Sequence, residues 1–353
     1  MTAAPQLLCR VCGSTSLSTF VDLGASPPCE LFLTEDDLLA PEPTYPLHAR
    51  VCDVCLLVQV PALIDPGETF TEYAYFSSFS TSWVEHARRY VDAVTERAQP
   101  SFVIEVASND GYLLQHCVAD GTRALGIEPS VNVGAAAQEK GVETVTAFLD
   151  PDTAATVVAE HGRADAVIAN NVFAHVPDVL GFAEGLRRLV SDTGWVVIEV
   201  QHLLSLIEHC QFDTIYHEHF QYWTVTTARE ALARVGLTVV DVELVATHGG
   251  SIRLWARPSE VAGDPSPAMQ EVLAAEVAAG LDTVAGHAGF ADRVARVRND
   301  LVGFLIEASR QGRSVVGYGA PGKGNTMLNY CGIRPDLLAW TVDRNPYKHG
   351  RYT

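Results

Sequence analysis

The stretch 103–114, VIEVASNDGYLL, decides the fold of this chain. Its first four residues are apolar except for Glu105, which predicts a buried strand, and the Ser-Asn-Asp-Gly run that follows predicts a tight turn opening a helix. Downstream, strand patterns alternate with helix patterns until the alternation closes on a pair of strands in TVVDVELV and GSIRLWA. Such alternation predicts an α/β protein with a mostly parallel, doubly wound sheet.

The turn in this stretch has the shape of the first motif of class I methyltransferases, whose Rossmann-like sheet binds S-adenosylmethionine. In that comparison Gly111 lets the backbone approach the methionyl group, and Glu105 and Asp110 are expected to meet its cationic amino end. The next strand ends in LGIEPS, where Glu128 is placed to accept hydrogen bonds from both ribose hydroxyls. The turn lacks G-x-G-x-x-G, so a dinucleotide is not predicted.

Three later residues are predicted to complete the cofactor site. Phe148 in TAFLD is placed where an adenine could stack, and Asn170 and Asn171 follow the third strand at its carboxyl end. In a parallel sheet that edge faces the ligand. An ordinary loop role is the alternative interpretation for each of the three.

Two C-x-x-C pairs near the N-terminus, CRVCG and CDVCL, predict a metal site made by Cys9, Cys12, Cys52 and Cys55. A two-residue gap lets both thiolates of a pair face one ion, and two pairs supply the four ligands of a tetrahedral zinc site. Four thiolates leave no open position for a substrate, so the predicted Zn2+ is structural. Two redox pairs, or chance spacing, are the alternatives.

The segment FDTIYHEHFQYWT concentrates ionisable side chains just after the fourth predicted strand. It contains Tyr216, His217, Glu218, His219 and Tyr222. Doubly wound sheets place substrates at the carboxyl ends of their strands, so this segment is a candidate catalytic site that would share a crevice with the methyl donor. A polar loop whose histidines are hydrogen-bonded within the core is the alternative.

Composition and charge argue against several classes of function. The 353 residues carry 43 acidic and 24 basic side chains, a formal net charge of −19, which repels a phosphate backbone, so no nucleic-acid partner is predicted. A local lysine or helix N-terminus can still bind an anionic small molecule. Neither a signal peptide nor an apolar run of about 20 residues is evident, so a cytoplasmic protein without a membrane partner is predicted.

The pattern changes twice along the chain and predicts three domains. Residues 1–70 are rich in proline and form the zinc-binding module, residues 71–257 form the methyltransferase domain, and residues 258–353 form a C-terminal Rossmann-like α/β domain. A helical run from about Met269 to Gln311 precedes a strand, a glycine turn and a helix in SVVGYGAPGKGNTMLNYCG. Two strands are visible in this last domain, so it is either small or cut short.

The glycine turn GYGAPGKGNT offers backbone amides and Lys323 to an anion, which suits the diphosphate of a nucleotide sugar. A turn that merely packs is the alternative. Glycine follows Lys323 where a P-loop needs serine or threonine, so ATP hydrolysis is not predicted.

Nearly the whole chain resembles the zinc-containing nucleotide-sugar 3-C-methyltransferases of deoxysugar pathways. The resemblance rests on CRVCG, CDVC, YAYFSSFSTSW, EVASNDGYLL, NNVFAHVPD, YHEHFQYWT, THGGSIRLW and GYGAPGKGNT. It implies S-adenosylmethionine as methyl donor and a thymidine-diphosphate-linked 4-keto-2,6-dideoxyhexose as acceptor, methylated at C3 through an enolate. By the same resemblance His219 is the base that takes the C3 proton and Tyr216 donates a hydrogen bond to the C4 oxyanion. Glu218 and His175 are assisting residues.

The resemblance also implies how the nucleotide-diphosphate sugar is bound. Tyr75, and less strongly Tyr73, would line the sugar pocket from the N-terminal side. Tyr222 would contact the sugar, and Lys323 and Asn325 would belong to the nucleotide-binding turn of the C-terminal domain. The zinc module and the last domain can cover the catalytic crevice within one chain, which favours a monomer.

Three other functions share parts of this pattern. An O- or N-methyltransferase would have the same cofactor half but needs little beyond positioning of its acceptor. A nucleotide-sugar oxidoreductase could use Tyr216 as an acid but would have to bind NAD without its usual fingerprint. A zinc-knuckle adaptor with a degenerate methyltransferase fold would leave the Tyr-His-Glu-His cluster unexplained.

Overall fold

The computed structural model describes residues 7–65, 67 and 76–353. At the N-terminal end, three antiparallel strands form the scaffold of the cysteine pairs: β1 (Leu17–Ser26), β2 (Tyr45–Cys52) and β3 (Val58–Gln59). β1 pairs with β2, and β2 pairs with β3 across the turn that contains the second cysteine pair. Because Leu17 lies opposite Cys52, both cysteine pairs are brought to the same end of this sheet.

A second, larger sheet is built from most of the strands that follow. In chain order these are β4 (Phe102–Val106), β5 (Arg123–Ile127), β6 (Glu143–Val145), β7 (Ala164–Asn170), β8 (Val190–Gln201), β9 (Gln221–Tyr222), β10 (Leu237–Val245) and β11 (Ser251–Pro258). All except β9 join this sheet, in the order β10-β11-β8-β7-β4-β5-β6. β11 is antiparallel to both neighbours and the other pairs are parallel. The predicted doubly wound sheet with a closing strand pair is confirmed.

Helices cover both faces of the large sheet. They are α1 (Thr81–Ala98), α2 (Leu114–Ala119), α3 (Val131–Glu139), α4 (Pro151–His161), α5 (Val179–Leu189), α6 (Leu203–Glu208) and α7 (Val225–Ala233). Apart from α6, whose Leu203 and Leu206 pack with the N-terminal sheet, the helices contribute to two separate clusters of buried residues. Ile104 of β4 belongs to one cluster and its neighbour Val103 to the other, because alternate side chains of a strand point to opposite faces.

Strand β9 leaves the large sheet and pairs with the N-terminal sheet instead. Tyr222 lies opposite Val58, and Gln221 lies opposite Gln59, which gives a four-stranded sheet in the order β1-β2-β3-β9. Since β9 directly follows the Tyr-His-Glu-His segment, the cysteine scaffold and the candidate catalytic segment share one sheet.

The region after β11 contains two helices, where the sequence pattern predicted one helical run from about Met269 to Gln311. α8 (Pro267–Ala278) and α9 (Phe290–Arg310) are separated by a short 3-10 turn. Gly280, which has a φ of 78°, follows the end of α8. Left-handed backbone of this kind ends a helix and is available to glycine without strain.

The chain then forms a small β-α-β unit from β12 (Gly317–Tyr318), α10 (Gly322–Cys331) and β13 (Thr341–Val342). Its two strands are parallel, as the strand, glycine turn, helix and strand pattern predicted. α9 reaches the N-terminal sheet, where Phe290 stacks on Phe20 with ring centroids 4.6 Å apart. None of the helices in the described ranges has the length and apolar character needed to cross a bilayer.

Candidate active site and zinc centre

A cavity of about 690 Å3 lies at the carboxyl ends of the parallel strands. Its lining includes Glu128, Phe148 and Asn170 as well as His219 and Lys323. The structure therefore brings residues predicted for the cofactor and residues predicted for the acceptor into one chamber. This is the position at which doubly wound sheets bind ligands.

The turn after β4 has the left-handed backbone that is typical of glycine-rich ligand loops, although Gly111 is its one glycine. Ala107, Asn109 and Gly111 have φ angles of 56°, 50° and 73°, so every second residue is left-handed. For alanine this conformation costs about 1–2 kcal/mol. Ala107 and Asn109 line the cavity, whereas Gly111 lies behind them, and a Cβ added there would lie 3.0 Å from the Val142 side chain. Gly111 therefore serves close packing of the turn, and the contact of its backbone with the methionyl group stays a prediction.

Glu128 holds the turn in place. Its two carboxylate oxygens accept the backbone N–H groups of Asn109 and Ser130, each at 2.9 Å. Burial raises the pKa of Glu128, and these two hydrogen bonds act in the opposite direction. A carboxylate oxygen has a further lone pair, so each can also accept a ribose hydroxyl from the cavity. The geometry fits the role expected for Glu128.

Glu105 and Asp110 are not where the cofactor prediction placed them. Neither lines the cavity. Asp110 forms an ion pair with Lys140 at 2.8 Å and accepts the hydroxyl of Ser78, so its carboxylate is engaged within the protein. Burial, reinforced by the neighbouring carboxyls of Glu128 and Asp110, raises the pKa of the fully buried Glu105 well above its usual value. Both residues support the turn from behind.

Phe148, Asn170 and Asn171 all line the cavity, as expected of cofactor residues. The Asn170 side chain donates to the Tyr112 hydroxyl at 2.8 Å, and its Oδ1 is buried with no hydrogen-bond partner in the described part of the chain. Such an oxygen suits a donor group of a ligand, for example an ammonium. The left-handed turn, Glu128 and this oxygen together fit S-adenosylmethionine.

His219 and Tyr216 form a hydrogen-bonded pair in the lining of the chamber. The Tyr216 hydroxyl lies 2.7 Å from Nε2 of His219, and the rings stack with centroids 3.9 Å apart. Nδ1 of His219 lies 2.8 Å from the Thr214 carbonyl oxygen, which can only accept. Nδ1 therefore carries the proton, and Nε2 is the acceptor that receives the Tyr216 hydroxyl. Burial lowers the pKa of His219 well below its usual value, so the imidazole is neutral at neutral pH.

His175 and Tyr222 complete the wall around His219. The His175 ring meets His219 edge-on with centroids 4.6 Å apart, and burial lowers the pKa of His175 to about 4. The ring of Tyr222 also meets His219 edge-on, at 6.4 Å, while its hydroxyl is buried below the cavity surface. Tyr222 therefore contributes ring surface to the chamber. The rings that contact the predicted base are uncharged, and Lys323 is the charged group that acts on its pKa.

Two predicted residues point elsewhere. Oε2 of Glu218 lies 3.7 Å from the Cys29 thiol, and Glu218 does not line the cavity, so it neither orients His219 nor reaches a sugar hydroxyl. Asn325 donates to the Cys29 carbonyl oxygen at 2.6 Å and is buried. Its amide thus fastens α10 to the N-terminal loop instead of contacting the nucleotide.

Lys323 does line the cavity, from the first turn of α10. Burial lowers the pKa of Lys323, and the nearby Asp213 acts in the opposite direction. Tyr75 and the weaker candidate Tyr73 lie outside the described residues, so their contacts with a sugar stay predictions.

Trp83, Gln201 and His248 are among the residues of the chamber that sequence reasoning missed. His248 has a φ of 53° in the turn Thr247–Gly249, and its Nδ1 lies 3.2 Å from the side-chain nitrogen of Asn171. The Gln201 amide accepts the Thr214 hydroxyl at 2.7 Å and donates to the His248 carbonyl oxygen at 3.2 Å. The Thr-His-Gly-Gly run was the available signal, since two glycines after a histidine indicate an unusual turn.

The four predicted metal ligands converge. The Sγ atoms of Cys9, Cys12, Cys52 and Cys55 all lie within 4.8 Å of one another, and the closest pairs are 3.4 and 3.5 Å apart. Four sulfurs around Zn2+ at about 2.3 Å would be about 3.8 Å apart. The cluster therefore fits a tetrahedral structural zinc site with small adjustments.

Arg10, between the first two cysteines, connects this zinc site to the catalytic segment. Its guanidinium donates to the carbonyl oxygens of Phe220 at 3.0 Å and Val60 at 2.7 Å, and it lies over the Phe220 ring. The Val60 amide donates to the same Phe220 carbonyl. Phe220 directly follows His219, so the zinc-bound loop holds the backbone next to the candidate base.

Three domain families match successive parts of the chain. Residues 9–70 match the family described as "Putative zinc binding domain", residues 83–242 match "Methyltransferase domain", and residues 246–353 match "C-methyltransferase C-terminal domain". The first contains all four cysteines, and the second contains the cofactor turn and the catalytic segment.

Several known proteins are similar to this chain. C-methyltransferase NovU from Streptomyces niveus is 33% identical over 346 residues, which cover 97% of this chain and 82% of NovU. Among solved structures, ChlM from Synechocystis PCC 6803 with bound SAM has 16% identity and a TM-score of 0.37, covering 50% of this chain and 77% of that chain. PH0226 from Pyrococcus horikoshii has 15% identity and a TM-score of 0.41, covering 56% and 99%. The identity to NovU and the three matched domains show that this chain belongs to the S-adenosylmethionine-dependent C-methyltransferases that carry an N-terminal zinc-binding domain.

Proposed function

We propose that the enzyme methylates C3 of a thymidine-diphosphate-linked 4-keto-2,6-dideoxyhexose through an enolate, acting as a cytoplasmic monomer. The observation that carries the proposal is the neutral imidazole of His219, whose Nε2 is an acceptor inside the chamber that also holds the cofactor residues. Methylation of oxygen or nitrogen needs little beyond positioning, whereas carbon must first lose a proton.

His219 supplies the base for that step. Nδ1–H is held by the Thr214 carbonyl, so the imidazole has a fixed tautomer and can gain a proton only at Nε2. The depressed pKa keeps this nitrogen unprotonated in the free enzyme. The Tyr216 hydroxyl occupies Nε2 in the absence of an acceptor and releases it when the sugar enters. His175 and Tyr222 exclude water around the imidazole.

The proposed reaction balances without a further reactant. The C3–H bond breaks, the proton goes to His219, and its electron pair forms the C3–C4 double bond while the C4 carbonyl electrons move to oxygen. Bound S-adenosylmethionine supplies an electrophilic methyl group on a sulfonium. The enolate carbon forms the new C–C bond as the C–S bond breaks and its electrons stay on sulfur. The Glu128 end of the cavity and the His219 part hold the two reactants within one chamber, which favours the transfer by proximity.

The test is incubation with methyl-labelled S-adenosylmethionine and the 4-keto-dideoxy sugar nucleotide in deuterated buffer, followed by mass spectrometry of the sugar. We expect one methyl group on carbon, and loss of transfer in His219→Asn. The matched control is His209→Asn, because His209 is exposed and outside the cavity. Equal melting temperatures and equal binding of S-adenosylhomocysteine would show that both variants are folded. Transfer to oxygen or nitrogen, or full activity of His219→Asn, would contradict the proposal.

A further inference from the structure

Lys323 is the one lysine or arginine among the described residues that line the cavity. The same surface carries the acidic residues Glu30, Asp65, Glu128 and Asp178. Within the described ranges, Lys323 forms no ion pair shorter than 4.0 Å, and Asp213 is the acidic group that influences its pKa. A half-buried ammonium without a close counter-ion is poised for an anion supplied by the ligand.

The first turn of α10, where a diphosphate would be expected, is already covered by protein. Glu30 of the N-terminal loop packs against Gly322 so closely that a Cβ on Gly322 would collide with the Glu30 carboxyl. Asn325 binds the Cys29 carbonyl, which fixes the loop on the helix. A diphosphate at these amides would have to displace the loop and approach a carboxyl group. The helix N-terminus is therefore a poor diphosphate site in this fold.

Most hydrogen-bond donors that line the chamber near His219 are engaged within the protein. The Tyr216 hydroxyl binds His219, the Thr214 hydroxyl binds Gln201, and the Gln201 amide binds Gln211 and the His248 carbonyl. The Gln221 amide donates to two backbone carbonyls. Lys323 makes no such hydrogen bond to the residues that the structure describes.

His248 offers a second donor. Its Nδ1 accepts the side-chain N–H of Asn171, so in the neutral imidazole the proton is on Nε2. Burial lowers the pKa of His248 to about 4, with Lys323 acting in the same direction, so the imidazole is neutral at neutral pH. The ring packs edge-on against Trp83 at 4.8 Å, which limits its movement.

We propose that Lys323, assisted by Nε2–H of His248, stabilises the enolate oxygen of the acceptor instead of binding the diphosphate. This inference rests on the enolate mechanism proposed above. The ammonium provides the positive charge that the C4 oxygen requires as the C3 proton leaves, and the neutral imidazole provides a hydrogen bond without a second charge. The C-terminal β-α-β unit thereby contributes a catalytic residue to the methyltransferase chamber.

The arrangement also explains why His219 stays unprotonated before the enolate forms. Lys323 is one of the groups that lower the pKa of His219, so a proton on His219 is unfavourable until a negative charge appears between them. Formation of the enolate supplies that charge. Proton removal and enolate stabilisation are then coupled in one step.

The experiment separates enolisation from binding. With S-adenosylhomocysteine in place of the methyl donor and the 4-keto sugar nucleotide in deuterated buffer, deuterium gain at C3 reports enolisation alone. Isothermal titration with thymidine diphosphate reports nucleotide binding. We compare wild type, Lys323→Met, Lys323→Arg and His248→Gln. Arg313→Met is the control. The substitution removes the same charge, and Arg313 is exposed and lies outside the cavity.

Lys323→Met should slow C3 exchange and kcat by about 100-fold to 1000-fold, as for removal of an oxyanion donor. KM and the Kd for thymidine diphosphate should change by less than about 3-fold, since uniform binding is not affected. Lys323→Arg should recover part of the exchange, which a misfolded variant would not allow, and His248→Gln should slow the exchange by a smaller factor.

A Kd for thymidine diphosphate raised at least about ten-fold with near-normal kcat in Lys323→Met would overturn the assignment in favour of diphosphate binding. Loss of exchange in Tyr216→Phe but not in Lys323→Met would overturn it in favour of Tyr216. Absence of exchange in the wild type would instead refute the proposed function itself.

Discussion

Replacing Arg10 with methionine should loosen the catalytic segment while the zinc site stays intact. Arg10 donates to the carbonyl oxygens of Phe220 and Val60 at 3.0 and 2.7 Å. Burial lowers the pKa of Arg10 to about 10, so the guanidinium is still charged at neutral pH. Methionine keeps an unbranched apolar side chain but donates no hydrogen bond. The change therefore removes the link between the cysteine loop and the backbone after His219.

The expected size follows from these two hydrogen bonds. A hydrogen bond from a charged donor contributes about 1.5–3 kcal/mol. The Phe220 carbonyl keeps the Val60 amide as a donor, so most of the loss is at the Val60 carbonyl. We expect a local cost of about 3 kcal/mol. Since about 1.4 kcal/mol corresponds to a factor of ten, opening of the segment should become about 100-fold more frequent.

Amide hydrogen exchange of the zinc-loaded enzyme measures this directly, on peptides that cover residues 217–223. Arg50→Met is the matched control, because Arg50 lies on β2 in the same sheet but its side chain contacts His48 at 3.2 Å instead of the backbone of the catalytic segment. Protection should fall about 100-fold in Arg10→Met and stay unchanged in the control. Equal protection in both variants, with full zinc content, would refute the reasoning and show that the β3–β9 ladder alone holds the segment.

Two further results are expected. Glu128→Gln should weaken binding of S-adenosylhomocysteine by about ten-fold to 100-fold, because the amide cannot accept at both oxygen positions as the carboxylate does. Calorimetry measures the Kd. An unchanged Kd would remove Glu128 from the cofactor site. The pKa of His219 is lowered well below its usual value, so the base is neutral above that pKa and protonated only as the pH falls through it. The acid limb of kcat/KM should therefore lie below the usual histidine pKa of about 6.5, and an acid limb at or above that pH would contradict the assignment.

Local patterns predicted the doubly wound sheet and the zinc ligands well. Spacing and turn chemistry were sufficient to predict strand β4, its turn and the Cys9 and Cys12 pair, because these features depend on residues that are neighbours in the sequence. The β3–β9 pairing joins two-residue strands far apart in the chain, which have no periodic signal. Gln201 was missed for a similar reason, because its contact with the His248 turn is also distant in the sequence.

Side-chain direction was the second source of error. Glu218 and His219 are adjacent, and the composition of the segment suggested a shared role, but one points to Cys29 and the other into the chamber. The same applies to Lys323 and Asn325 on α10, where the two positions are about 200° apart around the helix. Residue type indicated the chemistry, while tertiary packing decided which groups could reach a ligand.

The shared sheet of β3 and β9 has a consequence for engineering. A fragment or chimera cut at residue 70 would leave Gln221 and Tyr222 with an open strand edge and would remove the Arg10 link beside the base. The N-terminal region therefore has to be exchanged together with residues 216–223 if a hybrid enzyme is to keep its turnover. During synthesis, the N-terminal sheet likewise lacks its fourth strand until β9 has been made, so that sheet and the catalytic segment are completed together.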